Sequence, residues 1–270
     1  MPLDRSRALD RGLARVLSTR DAVGDAWPYH ADPATGIWVT TDDGDWCDGH
    51  WVEMLRIAGE LLGRRELVDE AVDRAERCRP KLERDDQFRG HRFYYAAARL
   101  WAAERIERMR TLALAAAWAM RSMAMHANGA MPIGTQVQVK STTLASRAIV
   151  AVDNVHPNLM LDWWAWRETG DATFERGAAR MFDVLERHFV RQDGTTVEFI
   201  EFDPASGEPR RHFTLLGLHD DSCWSRGQAW AIAGSLHAYA HTGAGRYARL
   251  AERLFAPWWA RCCWPPASAA

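Results

Sequence analysis

Twelve residues, His219 to Trp230 (HDDSCWSRGQAW), bring together acids, a guanidinium, an amide and two indoles. Arg226 offers a planar fork suited to a carboxylate or phosphate. Trp224 with Gln228, and Arg226 with Trp230, are i,i+4 pairs, so on a helix aromatic surface and polar groups emerge from adjacent faces of one turn. That mixture suits an acidic sugar, whose flat apolar face an indole covers. A second candidate lies at Asp153-Asn154-Val155-His156-Pro157-Asn158, where an acid opens an apolar run. The plainer alternatives are an N-cap followed by core tryptophans at the first stretch, and Asx N-capping, at about 1 kcal/mol, at the second.

These groups need helix starts to hold them. Asp220, Asp221 and Ser222 are N-cap types, and the pattern Trp224, Ala231, Leu236, Tyr239 runs to a stop at Thr242-Gly243. A helix start there leaves free N–H groups and a positive dipole end for an anion. Residues 2 to 19 read as an amphipathic helix through Leu3, Leu9, Leu13, Val16 and Leu17, and Asp21 to Asp45 reads as a loop. Trp46-Cys47-Asp48-Gly49-His50-Trp51 leads into a helix ending at Leu62-Gly63, with a partner from Glu66 to Arg79 closed by Pro80. Gln87 to Ala103 pairs with Glu104 to Met125. A polar loop follows from Asn128 to Ser146. The helix opened by Asp153 ends at Thr169-Gly170 and pairs with Thr173 to Arg191. Thr195 to Phe202 has the character of a short β arm, and Arg246 to Phe255 is the last helix.

Laid side by side, LLGRRELVDEAVDR, ETGDATFERGAARMF and HTGAGRYARLAERLF expose a repeat of helical hairpins with a tight Gly turn. Long loops precede the first helix of each pair, so the elaborate loops share one end. This wiring predicts an all-α fold, an α/α toroid in one domain over residues 1–270, with inner-helix starts converging on a cleft. Trp46, Asp48, Gly90, His91, Asp153, Asn154, Asp221, Trp224 and Arg226 sit at those starts.

Composition removes other classes. With 34 basic against 36 acidic residues, nucleic acid and anionic membrane surfaces are not indicated as partners. Lys81 and Lys140 are the two lysines among many arginines. Fourteen tryptophans imply an aromatic core or platforms for sugar faces. Cys47, Cys78, Cys223, Cys262 and Cys263 show no CxxC spacing, so neither a disulfide framework nor a zinc site is expected. The charged start MPLDRSRALDRG lacks an apolar h-region and no long window is uniformly apolar, so a soluble, cytoplasmic protein is expected, with oligomeric state left open.

Trp46 to Trp51, GHRFYYAAARLW at Gly90 to Trp101, VDNVHPNLMLDWWAWRETGD, the arm DGTTVEFIEFDPASGEP and above all DDSCWSRGQAW resemble the unsaturated glucuronyl hydrolases, glycoside hydrolase family 88. The resemblance spans most of the chain. It implies a six-hairpin α/α barrel that hydrates the C4=C5 double bond of the Δ4,5-uronic acid at the non-reducing end of lyase-generated oligosaccharides, without metal or organic cofactor. It implies an aspartic acid as general acid and base, a carboxyl with a raised pKa in an apolar site. Asp153 matches that aspartate, with Asn154 on the position by ungapped alignment. Trp46, Trp224, Arg226 and Trp230 match substrate positions, and His91, Glu198 and Gln228 join them as candidate contacts. The chain also departs from the pattern: the second aspartate falls at Phe88, with Asp85 and Asp86 displaced, the arm's histidine is Glu198, and a His-Gln pair is Leu215-Leu216. Glu198 reads either as a solvated arm residue or as an acid that replaces the missing carboxylate. Asp162, on the side of Asn158 and Trp166, reads as a partner behind the site. The tail ARCCWPPASAA stands where the family continues with further helices. Besides the active hydrolase, two readings stand: a disabled relative that binds acidic sugars or serves as a scaffold, favoured by Phe88 and Asn154, and a truncated gene product, favoured by the tail.

Overall fold

The computed structural model describes residues 5–139 and 142–262. Leu3 of the expected first helix, Lys140 and the tail from Cys263 onward lie outside the described residues. The chain divides into two compact units: one runs to Glu83 and takes in His91–Ala113, and the other comprises Arg84–Gly90 and the residues from Leu114 onward.

The first unit opens with α1 (Arg5–Val23) and a hairpin of β1 (Trp27–Ala31) and β2 (Trp38–Thr41), antiparallel to each other. The hairpin corrects the loop expected over residues 21–45. Only Trp27 and Pro28 of its two strands are buried, so neither strand shows the alternation that marks a half-buried strand in a sequence. The helical pair α2 (Asp48–Leu62) and α3 (Arg65–Arg77) follows as expected. Trp51, Val52, Leu55, Ala58 and Gly59 form the buried stripe of α2, at the 3–4 spacing of one helix face. Gly63 ends α2 at φ 64°, a left-handed cap that glycine adopts without steric cost. A π-helical stretch, Gly90–Ala98, runs into α4 (Arg99–Glu104), and α5 (Glu107–Arg121) follows.

A buried ionic cluster fixes the start of α2. Asp48 is 1% exposed, and its Oδ2 lies 2.7 Å from Lys81 Nζ and 3.7 Å from Arg92 Nε. Lys81 also donates to the carbonyls of Asp43 and Asp45. Asp48 therefore ties the loop before α2 to the chain that follows α3, and does not open into a cleft as its helix-start position suggested.

The second unit carries the hairpin β3 (Gly134–Val139) and β4 (Thr142–Ser146), then β5 (Ile149–Ala151), a 3₁₀ turn over Val152–Val155, α6 (Asn158–Thr169) and α7 (Ala172–Val184), which a π turn extends to Phe189. The arm β6 (Phe199–Phe202) and β7 (Pro209–Phe213) precedes α8 (Ser225–Thr242) and α9 (Gly245–Cys262). Gly170 at φ 73° and Gly243 at φ 68° make the turns read as helix stops. The polar loop expected over residues 128–146 is in fact the β3–β4 hairpin, and the arm is the centre of an antiparallel sheet ordered β5-β6-β7. That sheet carries a small core of Ile133, Val137, Ile149, Ala151, Phe199 and Phe213, against which Phe88, Leu144 and Leu215 pack. The class is all-α, of helical pairs joined by Gly turns, with these small sheets confined to the longer connections.

Gly90 meets α6 at van der Waals limit: a Cβ there would stand 2.1 Å from Asn158 Cα, while its N–H donates to Asn158 Oδ1 at 2.7 Å. Because the neighbour is backbone, Gly90→Ala is expected to lower the unfolding free energy by about 1–3 kcal/mol or more. Urea unfolding followed by tryptophan fluorescence and circular dichroism checks this; a variant as stable as the parent refutes the close approach.

Candidate active site

Asp153 stands in the 3₁₀ turn between β5 and α6. The antiparallel pairing of β5 with β6 sets Ala151 opposite Phe199, and the N–H of Val152 donates to the carbonyl of Glu198 at 2.9 Å. Sheet register therefore brings the acid of the turn beside an acid of the arm. Asp153 is partly exposed as a residue, but its Oδ1 is shut off from water and has no hydrogen-bond partner among the described residues. Burial raises its carboxyl from the usual 3.8 to about 6; the charge of Glu198 adds to this, while its own N–H and Arg226 oppose it.

Glu198 is 2% exposed, which overturns the reading of a solvated arm residue. Its Oε2 accepts the N–H groups of Leu215, Leu216 and Gly217 at 3.1, 3.0 and 3.4 Å, together with the hydroxyl of Thr214. These donors suit an ionised carboxylate. Its Oε1 is buried without a partner among the described residues. The Leu215-Leu216 segment thus contributes through its backbone, which no side-chain pattern reveals.

Asn154, 0% exposed, faces the interior. Its Nδ2 donates to Met131 O at 2.6 Å and its Oδ1 accepts from Asn158 Nδ2 at 3.0 Å. With the Gly90 bond to Asn158, this makes a relay of buried amides that holds the turn, and it leaves Asp153 as the side chain of the pair with an uncommitted oxygen. Gln228 is likewise committed. Its Oε1 accepts from Thr196 N–H at 2.8 Å and from Cys223 Sγ at 3.4 Å, and its Nε2 donates to Gly194 O and Leu254 O, both at 2.8 Å. The expectation that Gln228 contacts a ligand is corrected: it staples the arm to α8 and α9.

The start of α8 also differs from expectation. Trp224 is the N-cap, without a side-chain cap bond. Asp220 instead accepts the N–H of Thr214 at 3.0 Å, Asp221 pairs with His212 at 3.0 Å, and Ser222 Oγ accepts from Leu218 and His219 at 3.0 and 3.3 Å. The three residues chosen as caps shape the loop that clamps Glu198. Arg226 is exposed, its guanidinium 4.6 Å from the Trp224 ring centre. Trp230 stacks on His156 at 5.2 Å, and His156 on His237 at 5.1 Å. Asp162 does not back Asp153: it is fully buried and lies 3.0 Å from Arg121 Nη2.

Trp46 and His91 belong to the first unit, where they form an aromatic cluster of their own. Trp46 meets His91 edge-on at 5.6 Å and His50 at 5.9 Å, and His50 lies 4.7 Å from Tyr95. Burial lowers His50 to about 4 and raises Tyr95 to about 12. His50 and Tyr95 escaped sequence reasoning, although the i,i+4 spacing of His50 from Trp46 pointed to it. No group of three or more His, Cys, Asp or Glu side chains is placed to hold a metal ion among the described residues, and no described helix is long and apolar enough to cross a membrane.

A half-buried acid, a second carboxylate, a guanidinium and two indoles thus stand together on an all-α scaffold of helical pairs. No protein-family model matches the chain. It is 32% identical over 216 residues to the unsaturated glucuronyl hydrolase of Bacillus sp. (strain GL1), covering 78% of this chain and 55% of that protein. To the unsaturated chondroitin disaccharide hydrolase of Streptococcus pyogenes serotype M1 it is 27% identical over 237 residues, covering 86% and 57%. It superposes with a TM-score of 0.85 and 27% identity on a structure of an Asp-to-Asn variant of UGL with dGlcA-Glc-Rha-Glc, over 96% of this chain and 68% of that one. The chain is thus similar to the unsaturated glucuronyl hydrolases, and has the α/α fold class expected from its hairpins. It spans about half the length of the curated relatives it matches.

Because folding raises the Asp153 pKa, its contribution to stability is fully present below about 3.8 and is lost as pH rises through about 6. Asp153→Asn removes the titration, so this variant is expected to exceed the parent in unfolding free energy by about 3 kcal/mol above neutrality, at roughly 1.4 kcal/mol per pKa unit. The gap closes below about pH 4, where the parent carboxyl is protonated in both states. Urea titrations at several pH values measure it; a gap independent of pH contradicts a raised Asp153 pKa.

Proposed function

We propose that the chain is a hydrolase that hydrates the C4=C5 double bond of an unsaturated uronic acid at the non-reducing end of lyase-generated oligosaccharides. The observation that carries this reading is the uncommitted, water-shielded Oδ1 of Asp153 beside the clamped carboxylate of Glu198. The names of the relatives, and the dGlcA-containing ligand of the UGL structure, supply the substrate class.

Asp153, which keeps its proton up to about pH 6, donates it to C4 of the vinyl ether as the double-bond electrons move to that carbon. Water adds at C5 and returns a proton to Asp153. The hemiketal so formed opens, releasing the remaining sugar and a 4-deoxy-5-keto uronate. Burial keeps the proton on Asp153, and Glu198 acts as a positioning residue whose charge, beside three main-chain donors, adds to that effect. Arg226 takes the substrate carboxylate, and Trp224 and Trp230 stack on the ring. Asn154 has the structural part of holding the turn. Trp46 and His91 are carried as substrate contacts on the resemblance, supported by their aromatic cluster. The site is proposed to work without metal or organic cofactor, in a cytoplasmic protein.

One observation favours a second reading, a disabled relative that binds acidic sugars. The position expected to bear a second aspartate is Phe88, which packs on the apolar core of the β5-β6-β7 sheet and brings no acid there.

The assay is the loss of ultraviolet absorbance of a conjugated unsaturated uronate, measured on a panel of unsaturated disaccharides. Asp153→Asn is expected to lower kcat by about 10²–10⁴ with little change in KM. Activity of the parent is expected to fall as pH rises above about 6, where the acid loses its proton. Glu198→Gln is expected to move that limb to lower pH, an effect that loss of folding alone does not produce. A folded protein that consumes none of the panel supports the disabled binder.

A further inference from the structure

A cavity lined by arginines lies within the unit that carries Asp153 but shares no residue with that site. It has a volume of about 390 Å³, and Arg121, Arg176, Arg180, Thr173 and Met125 are among its lining residues, none of which is acidic. Arg176 and Arg180 are one turn apart on α7, both exposed, and neither has an ion pair among the described residues. Both belong to a helix whose positive dipole end begins at Ala172.

Arg121 makes the cavity a built feature. It is 9% exposed, and its Nη2 turns inward to Asp162 at 3.0 Å, while Nε and Nη1 have no hydrogen-bond acceptor among the described residues. Leaving guanidinium donors unsatisfied out of water costs on the order of 1–3 kcal/mol. The helix makes room for this side chain: a Cβ on Gly177 would stand 2.3 Å from Arg121 Nη1, so a glycine sits mid-helix at about 1 kcal/mol of helix propensity. Gly129, at φ 76°, does the same for Arg180, whose Cδ lies 2.8 Å from the place of its Cβ.

Three guanidinium groups on one cavity suit an oxyanion, which accepts from their forks. The volume decides how much more is bound. A water takes about 30 Å³ of liquid, and a cavity in the range of about 300–1,000 Å³ holds an organic ligand, not a bare ion. Met125, Ala124 and the stems of the arginines give that body an apolar wall.

We propose that this cavity is a binding site for a small molecule of monosaccharide size that carries a sulfate or phosphate group, the anion held by Arg176 and Arg180 over Arg121. Isothermal titration with glucose 6-sulfate, glucose 6-phosphate, glucuronate, inorganic sulfate and inorganic phosphate tests it. A sugar ester is expected to bind saturably at one site, more tightly than either inorganic ion. The double variant Arg176→Ala, Arg180→Ala, and Arg180→Gln alone, are expected to weaken that binding, the double variant by about tenfold or more. Asp153→Asn is expected to leave it unchanged, so the result is independent of the reaction proposed above. Both substituted side chains are exposed, and circular dichroism verifies the fold. Absence of saturable binding by every probe, an affinity unaltered in the double variant, or loss of the binding in Asp153→Asn overturns the proposal. Inorganic sulfate bound as tightly as its sugar ester overturns the assignment of the apolar wall.

Discussion

A carboxyl whose Oδ1 is shut from water and lacks a hydrogen-bond partner among the described residues, beside a second carboxylate, is the feature on which the rest of the second unit depends. Such a group is expensive if ionised, so it holds its proton into the range where general acid chemistry runs. The chain creates the condition with ordinary means. Pairing of β5 with β6 places Glu198 against Val152, the 3₁₀ turn then presents Asp153, and the loop from Thr214 to Gly217 supplies main-chain donors to Glu198 Oε2. The clamp fixes the negative charge at the arm, so the neighbouring acid bears the penalty.

Stability and chemistry use different members of the same motif. In VDNVHPN, Asn154 and Asn158 link Met131 O to Gly90 N–H, a path of amides that can be fully satisfied in the interior. A carboxylate at either position would lose the donor half of that relay. Asp153 sits one residue earlier, where the turn directs it out of the relay. Adjacent Asx residues in a 3₁₀ turn thus divide the work: the amide secures the backbone, and on the proposed reading the acid is left to react. The same division holds at α8, where Gln228 is consumed by Thr196, Gly194 and Leu254 while Arg226 stays exposed over Trp224.

What the sequence revealed follows from this division. Helical pairs and their Gly stops were legible because buried stripes and left-handed caps leave local signatures, as at Leu62-Gly63 and Thr242-Gly243. The hairpins β1–β2 and β3–β4 were not, since the first exposes most of both strands and the second reads as a polar loop. Asp153, Trp224 and Arg226 were singled out from residue type and place at helix starts. The burial of Glu198 was out of reach, because its partners are main-chain N–H groups sixteen or more residues away. Asp220, Asp221 and Ser222 carried a true capping signal that the fold spends on a loop instead.

Phe88 and Glu198 are best understood together. Phe88 joins an apolar core that includes Ala151 and Phe199, the sheet neighbours of Val152 and Glu198. An aromatic ring at this place removes an acid and also makes the surroundings of the 3₁₀ turn less polar, which strengthens any charge interaction that remains. Glu198 enters the same layer from the arm, where the related pattern has a histidine. A histidine is neutral or positive and cannot hold a proton on a nearby carboxyl by repulsion; a clamped glutamate does. On the proposed reading the two departures compensate: the second carboxylate has moved from the start of one helix to the adjoining strand, and Asp153 keeps the electrostatic setting that an acid needs.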